Sequence, residues 1–527
     1  MSINVIPKPN HIILKEGVFN INQSTKISFD ENARPILKFL EQYIKQATGL
    51  ELANSNETGV NSITLNLDDN LVDLGKEGYK INILQKQILL DACTIHGLFY
   101  GVQTLRQIMN DNNCNLPCVE IEDVPRYEYR GYMLDVCRHF FDKEVVKRMI
   151  DLSALHKLNI FHWHLTDDQG FRIEIKKYEK LTKIGSVRKE TIISNKSDNK
   201  PHGGYYTVDD IKEVVEYAKE RYITIVPEFD MPGHFLSLLA SYPNLGCNGK
   251  QLEVGTRFGV INDIACAGKE STYEFIFDVL EEIIDLFPGE LIHIGGDEVP
   301  KERWIECPDC QNKIKEENLN NEEELQGYFT NRIAEFLKEK GKRAVTWNES
   351  LKAGNLDDSV VVQHWMDPDK HQNTIKAIND DRTMIISDFF HVYLDYPYGM
   401  TTLQKTYEFN PVFEGVKKDK VKNILGVEAP LWTEYVTNIE KIDYLTFPRL
   451  SALAEIGWTN ESDRDYNDFI DRLKSLNDLL SKSGVRYATV TQANVKGLKA
   501  KIEVCKHFKQ VNNIFSIIIE LIKSKKK

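Results

Sequence analysis

Asp297 and Glu298 stand side by side after His293-Ile-Gly-Gly. Two adjacent carboxylates repel each other, so one is held protonated while its neighbour stays charged, which is the pairing that acid catalysis needs. The preceding Leu291–Ile294 reads as a short buried strand, and Gly295 and Gly296 let the backbone bend and approach another group closely. Gly-Asp-Glu also occurs in surface turns, so the pair alone leaves both readings open.

Elements that would position such a pair are visible from Arg130 onward. Eight short apolar runs read as strands: Tyr132–Val136, Ile160–Thr166, Ile223–Asp230, Leu291–Ile294, Arg343–Trp347, Val360–Trp365, Thr383–Ser387 and Ile424–Ala429. Amphipathic stretches lie between them, among them Lys143–Leu155, Val208–Arg221, Ser271–Leu286 and Glu322–Glu339, and Asn438–Gly457 follows the eighth. Alternating strands and helices predict parallel strands with crossover helices, and eight such units fit a closed (β/α)₈ TIM barrel. Active sites in these barrels lie where the strands end. Those ends carry Asp135 and Arg138, Asp167 and Asp168, Glu228, Asp230 and His234, Asp297 and Glu298, Trp347 and Glu349, His364 and Trp365, Tyr393 and Asp395, and Trp432 and Glu434. Aromatic faces beside carboxylates and an arginine suit a sugar ring, whose C–H faces stack while its hydroxyls take charged hydrogen bonds. Each residue alone has a structural reading too. A single tryptophan is commonly core, Arg138 could form an ion pair, and His234 could be a loop residue. His162 and His164 share one side of their strand as metal ligands would, but with no third ligand in sight packing and hydrogen bonding are expected.

The fold class expected is therefore α/β, a barrel preceded by a small α/β domain. The domain boundaries are residues 1–125 for the small domain, 126–480 for the barrel and 481–527 for a helical extension. In the first, Ile12–Leu14, Lys26–Phe29, Ser62–Leu67 and Tyr79–Leu90 are strand-like, while Arg34–Thr48 and Ile95–Asn110 have helical periodicity. It has no Gly-rich phosphate loop and reads as a structural companion. The 527 residues carry a formal net charge of −13, which argues against nucleic acid as a partner. The opening Met1-Ser-Ile-Asn-Val-Ile-Pro lacks the basic start and apolar run of a leader. No stretch reaches the roughly 18 apolar residues of a membrane span. The expected location is cytoplasmic, or secreted or periplasmic if a leader has been removed. Nine cysteines spread over this length do not form a disulfide framework. Cys307-Pro-Asp-Cys310 is read as a lone pair, two ligands short of a zinc site. Cys247 and Cys266 could pair in an oxidising compartment. Neither metal nor cofactor is expected.

The strand-end motifs together resemble glycoside hydrolase family 20, the β-N-acetylhexosaminidases. They are Arg130-Gly-Tyr-Met-Leu-Asp-Val-Cys-Arg-His-Phe-Phe141, Phe161-His-Trp-His-Leu-Thr-Asp-Asp-Gln169, Pro227-Glu-Phe-Asp-Met-Pro-Gly-His234, His293-Ile-Gly-Gly-Asp-Glu298 and Gly426-Val-Glu-Ala-Pro-Leu-Trp-Thr-Glu434. Gly97–Arg106 and Phe447–Glu455 match as well, and the resemblance covers about residues 5–480. It implies an exo-acting enzyme that removes terminal β-linked GlcNAc or GalNAc from oligosaccharides or glycoconjugates with retention. It implies Glu298 as general acid/base, Asp297 as the group that orients and stabilises the substrate's 2-acetamido group, and Tyr393 as donor to the acetamide carbonyl. Trp347, Trp365 and Trp432 would wall the pocket, Arg138, Asp395 and Glu434 would hold ring hydroxyls, and Asp167 with His234 would form a relay behind Glu298. Repulsion from an ionised Asp297, with burial, is expected to raise Glu298 and keep it protonated. Cys137 and Asn348 depart from the usual family pattern without touching these roles. Other readings are an inactive sugar-binding protein, a disaccharide-releasing relative and a phosphosugar-specific one. A monomer or homodimer is expected. Residues 485–527 match no known pattern, and Ile514–Ile522 reads as a packed amphipathic helix with a solvated Lys525-Lys-Lys527 tail.

Overall fold

The computed structural model describes residues 3–55 and 59–510. Eight parallel strands close into a barrel, Tyr129–Asp135, Ile160–His164, Thr224–Glu228, Leu291–His293, Arg343–Trp347, Val361–His364, Met384–Ile386 and Ile424–Leu431, the last pairing with the first. They correspond one to one with the eight apolar runs, trimmed or extended by a few residues. Parallel strands in a barrel are buried on both faces, which is why they read as continuous apolar runs. Polar residues set the helix starts between them. Asp142 accepts from the amides of Glu144 and Val145 at the head of Lys143–Leu155, Thr207 and Asp210 form a reciprocal cap on Val208–Lys219, and Asn321 caps Glu322–Glu339.

The amino-terminal unit is a seven-stranded mixed sheet, ordered His11–Asn20, Asn115–Asp123, Tyr79–Ile83, Gln87–Ala92, Ser62–Leu67, Lys26–Phe29 and Ala53–Asn54. Helices Arg34–Thr48 and Ile95–Asn112 pack against it. The run Tyr79–Leu90 is a hairpin rather than one strand, with Ile83 opposite Ile88. Alternation continues through both arms, and the turn Leu84-Gln85-Lys86 carries none of the glycine or asparagine that usually marks a reversal. Asn438–Gly457 is likewise two helices, Ile439–Thr446 and Arg449–Trp458. Pro448 breaks it, since proline has no amide hydrogen and disfavours the helical conformation in the residue before it.

The sheet is riveted to the barrel by buried polar groups. Asp123 accepts from Lys157 Nζ at 3.2 Å, from the indole of Trp458 at 2.9 Å, from the amide of Asn10 at 3.0 Å and from the hydroxyl of Tyr79. Arg130, fully buried in the first barrel strand, donates to Glu77 at 2.7 Å. Helix Tyr466–Lys482 contributes Arg472, which pairs with the buried Glu455 at 2.7 Å. Helix Gly497–Gln510 lies at the face where the barrel strands end. The Lys509 carbonyl accepts from Ser194 Oγ at 2.8 Å, and the His507 ring sits 5.1 Å from Tyr396 and 5.7 Å from Tyr435. The Ile514–Ile522 stretch lies outside the described residues. No helix among the described residues is long and apolar enough to cross a membrane.

Asp123→Ala leaves the Lys157 ammonium buried without its carboxylate and should cost about 3–5 kcal/mol. Lys157→Met should cost less, because Asp123 keeps its indole, phenol and amide donors. Denaturant midpoints measured at constant m-value check this. Equal losses for the two variants would show that the indole, phenol and amide donors to Asp123 add nothing to the fastening.

Candidate active site

The fourth barrel strand ends in a turn that only glycine permits. Gly295 has φ +68° and Gly296 φ +102°, and a Cβ on Gly295 would stand 1.6 Å from a carboxylate oxygen of Asp230. On Gly296 it would meet the Thr346 and Ser350 hydroxyls at 2.5 Å. The backbone thereby passes close to its neighbours and delivers Asp297 and Glu298 onto the mouth of the barrel. Glu298 itself has φ +48°, a left-handed conformation unusual for a side chain of its size, and its amide donates to Glu349 at 3.1 Å. Asp297 is buried, while the Glu298 side chain is 38% exposed.

His234, from the loop after the third strand, is brought against both carboxylates. Its Nε2 lies 3.7 Å from Asp297 Oδ2 and 3.6 Å from Glu298 Oε2. Its Nδ1 lies 3.3 Å from Asp167 Oδ1 and 3.5 Å from Asp168 Oδ2. Burial opposes charge on this ring, but Asp167 and the other carboxylates outweigh it and hold the imidazole protonated. Burial would likewise raise Glu298, yet the charged His234 beside it brings its carboxyl below the usual range. Asp297 moves the other way. Burial and repulsion from Glu298 push it up to about 7 against the pull of His234. This reverses the order expected from the sequence: in the free protein the surroundings favour the proton on Asp297 and the charge on Glu298.

Beneath this pair lies the fully buried Glu228. Its carboxylate bonds to His164 Nδ1 and accepts from the Trp347 indole at 2.9 Å, with His162 Nε2 3.1 Å and His293 Nδ1 2.9 Å away. These three histidines outweigh the burial that would otherwise protonate Glu228 and hold it ionised. His162 also bonds to Glu428 at 2.9 Å, and the two carboxylates raise its pKa to about 9 despite burial. His164 continues the chain to Asp167 at 2.9 Å, and Arg138 pairs with Asp167 at 2.9 Å. His162 and His164 thus serve the buried ionic network and face carboxylates.

The walls are aromatic. Trp347, Tyr393 and Trp432 are buried together with Met133 and Phe389, and Trp365 packs beside them. Trp365 stacks on Tyr393 at 6.2 Å, Trp347 and Trp432 are 6.0 Å apart, and the Arg138 guanidinium lies 4.8 Å over Trp432. Asp395 and Glu434 stand half-buried at the rim, and burial raises both carboxyls, Asp395 the more strongly through repulsion from Glu434. All eleven candidate residues therefore gather at one mouth. Four of their buried polar atoms, Arg138 Nη1, Asp297 Oδ1, Trp365 Nε1 and Asp395 Oδ1, have no hydrogen-bond partner among the described residues. Buried polar atoms are ordinarily paired, so a polar ligand is what this arrangement accommodates.

Several participants were read only as strand-end or motif residues, outside the candidate set of eleven. Glu228, Asp230, His293, Glu349 and Glu428 all touch it or its supports, and the signal for them is strand parity, which turns alternate residues into the barrel. Asp135 is another: its carboxylate accepts from the Cys137 amide at 2.7 Å and from the Thr433 amide at 2.9 Å, tying the first strand end to the eighth. The reading of Cys307 and Cys310 as a lone pair does not hold either, because Cys247 and Cys266 converge on them.

Comparison with known proteins agrees with this geometry. Residues 127–461 match the model of the glycosyl hydrolase family 20 catalytic domain, and residues 2–124 match domain 2 of the same family. A beta-hexosaminidase of Porphyromonas gingivalis is 38% identical over 509 residues, taking in 92% of this chain and 64% of that protein. This chain therefore spans just under two thirds of that relative. An exo beta-N-acetylglucosaminidase of Vibrio harveyi, solved in complex with N-acetylglucosamine, superposes with a TM-score of 0.82 at 31% identity, covering 93% of this chain and 78% of that one. A beta-N-acetylhexosaminidase of Bacteroides fragilis gives 0.81 at 32% identity, covering 93% and 99%.

If Glu228 holds the floor together electrostatically, Glu228→Gln should lower the pKa of His162 from about 9 toward its ordinary range. Nitrogen NMR of the histidine rings across pH reads this directly. An unchanged His162 titration would assign its charge to Glu428 alone.

Proposed function

The chain belongs to glycosyl hydrolase family 20, and on that footing we propose that it is an exo-acting, retaining β-N-acetylhexosaminidase that removes terminal β-linked GlcNAc or GalNAc by substrate-assisted catalysis. The observation that carries this reading is the carboxylate pair on a single turn, facing a closed aromatic pocket with unpaired polar atoms. An ordinary retaining glycosidase needs two carboxyl groups about 5 Å apart on opposite sides of the scissile bond. Asp297 and Glu298 spring from adjacent residues of one turn, so direct attack by Asp297 on the anomeric carbon is awkward. The acetamide oxygen of the substrate supplies the nucleophile instead.

In this mechanism Glu298 gives its proton to the leaving oxygen as the acetamide oxygen bonds to the anomeric carbon, closing an oxazolinium ring. Asp297 accepts the acetamide N–H and balances the positive charge that develops there, and Tyr393 donates to the acetamide oxygen to hold it in line. The Glu298 carboxylate then takes a proton from the water that opens the ring, restoring the original anomeric configuration. Trp347, Trp365 and Trp432 box the acetamide and the sugar ring and exclude water. Arg138, Asp395 and Glu434 receive ring hydroxyls.

In the free protein the surroundings favour the pair's proton on Asp297, whereas catalysis requires it on Glu298. His234 lies within 3.7 Å of both carboxylates and is itself backed by Asp167. Binding of the acetamide N–H favours ionised Asp297, and the displaced proton moves to Glu298 along this bridge. The number of protons in the site is conserved while their placement changes. A dead sugar-binding protein on the same fold would have no need for both carboxylates and the imidazole between them.

Hydrolysis of aryl β-glycosides of glucose, GlcNAc, GalNAc and lacto-N-biose tests the proposal: the acetamido sugars should be cleaved and the glucoside, which lacks the nucleophile, hardly at all. Efficient cleavage of the glucoside would sink substrate assistance. Glu298→Gln should lose about 10²–10⁴ in kcat, with a smaller loss for aryl leaving groups that need little protonation. Equal losses for good and poor leaving groups would remove Glu298 from the acid role. The pH profile is a further check. The pair keeps one proton below the raised Asp297 value of about 7 and loses it above, so kcat/KM should fall as pH rises through about 7. A profile flat well into the alkaline range would refute a shared proton.

A further inference from the structure

Two loops of the active face meet at four sulfurs. Cys247 and Cys266 lie in the segment after the third barrel strand, which also carries His234, and Cys307 and Cys310 follow Asp297 and Glu298 after the fourth. Cys266, Cys307 and Cys310 are buried and Cys247 is half-buried. Cys266 Sγ lies 3.6 Å from Cys310 Sγ and 3.7 Å from Cys307 Sγ, Cys247 Sγ lies 3.9 Å from Cys310 Sγ, and all four sulfurs fall within 4.8 Å of one another. A zinc ion bonded to four thiolates at ~2.3 Å sets the edges of its sulfur tetrahedron at about 3.8 Å.

The surroundings hold the sulfurs at this spacing. Gly268 lets the two loops touch, since a Cβ there would stand 2.2 Å from the Asp309 carbonyl carbon and 2.4 Å from the Cys310 nitrogen. The Trp304 indole donates across the junction to the Ala265 carbonyl at 2.9 Å, and the Cys266 amide donates to Leu245 at 2.9 Å. Pro308 opens the helix Pro308–Glu316, which places Cys307 at its cap and Cys310 in its first turn. The positive end of a helix favours the thiolate form that a metal requires.

We propose that Cys247, Cys266, Cys307 and Cys310 bind one zinc ion as a closed tetrathiolate that clamps the His234 loop to the Asp297–Glu298 loop. Four thiols lose their protons to water on binding, so the loaded site carries a net charge of −2. With every coordination position filled by sulfur, the ion takes no part in bond breaking. Its effect is positional: it fastens together, beyond the barrel, the two segments whose side chains share a proton.

Elemental analysis of the purified full-length chain, produced with zinc in the medium, should find one zinc per chain. Cys247→Ser and Cys310→Ser should carry next to none, while Cys505→Ser, at an exposed position, should keep its full complement. Should the serine variants fail to fold, the native chain itself decides. An organomercurial titrated into it should release zinc to a chromogenic chelator in step with thiol consumption, and cobalt exchanged into the site should show thiolate-to-metal charge transfer. Metal-free chains, iron in place of zinc, or a mass under non-reducing denaturing conditions short by the hydrogens of two disulfides would each overturn the proposal.

Discussion

Glu228 carries a negative charge at a point in the barrel that water does not reach, and the upper half of the barrel is built around keeping it there. Removing a carboxylate from water costs several kcal/mol unless its lone pairs are met by charged or polar hydrogens. His164 and the Trp347 indole meet them, and His162 and His293 stand within 3.1 Å. A barrel interior ordinarily fills with branched aliphatic side chains. Here those persist only in the lower layer, where Tyr129, Val345, Val361 and Ile385 pack together, and the layer beneath the mouth is ionic. One bond orients Trp347 as a wall of the pocket. Another passes through His164 to Asp167 and so to Arg138 and His234, linking the centre of the barrel to the carboxylates at its mouth.

That linkage explains why the two adjacent acids differ. Repulsion between neighbours forbids both from being ionised without cost, but it does not choose between them. His234 chooses, because its charge lowers Glu298 from 3.6 Å away while Asp297 sits deeper with one oxygen unpartnered. A proton placed by a neighbouring charge can be displaced by a hydrogen bond, and a ligand amide offered to Asp297 is such a bond. The site is thus preorganised in geometry but adjustable in proton position.

Much of this could be read from the chain. The barrel strands were legible because burial on both faces leaves a short apolar run bounded by polar residues, and the catalytic-type residues were legible because they cluster where those runs end. Other features depend on distance across the fold. Glu228 looks like any strand-end carboxylate until three histidines from other positions are seen around it. Cys247 and Cys266 are tens of residues from Cys307, and nothing local marks them as neighbours. The order of protonation in the Asp297–Glu298 pair rests on where one imidazole lies. The hairpin at Leu84–Lys86 escaped notice because a strand alternation survives a reversal that lacks glycine or asparagine.

Helix Gly497–Gln510 ends beside Tyr396 and Tyr435, next to the rim carboxylates Asp395 and Glu434. Cargo joined directly at residue 510 would therefore stand at the entrance to the pocket rather than behind the barrel. A purification handle or surface-immobilisation anchor placed at that residue would crowd whatever enters the pocket. Lys8 bonds to Glu455 beside the small sheet, so an anchor at that residue would leave the pocket mouth facing outward. Attachment chemistry for this protein is a choice between these two positions, and the fold makes them unequal.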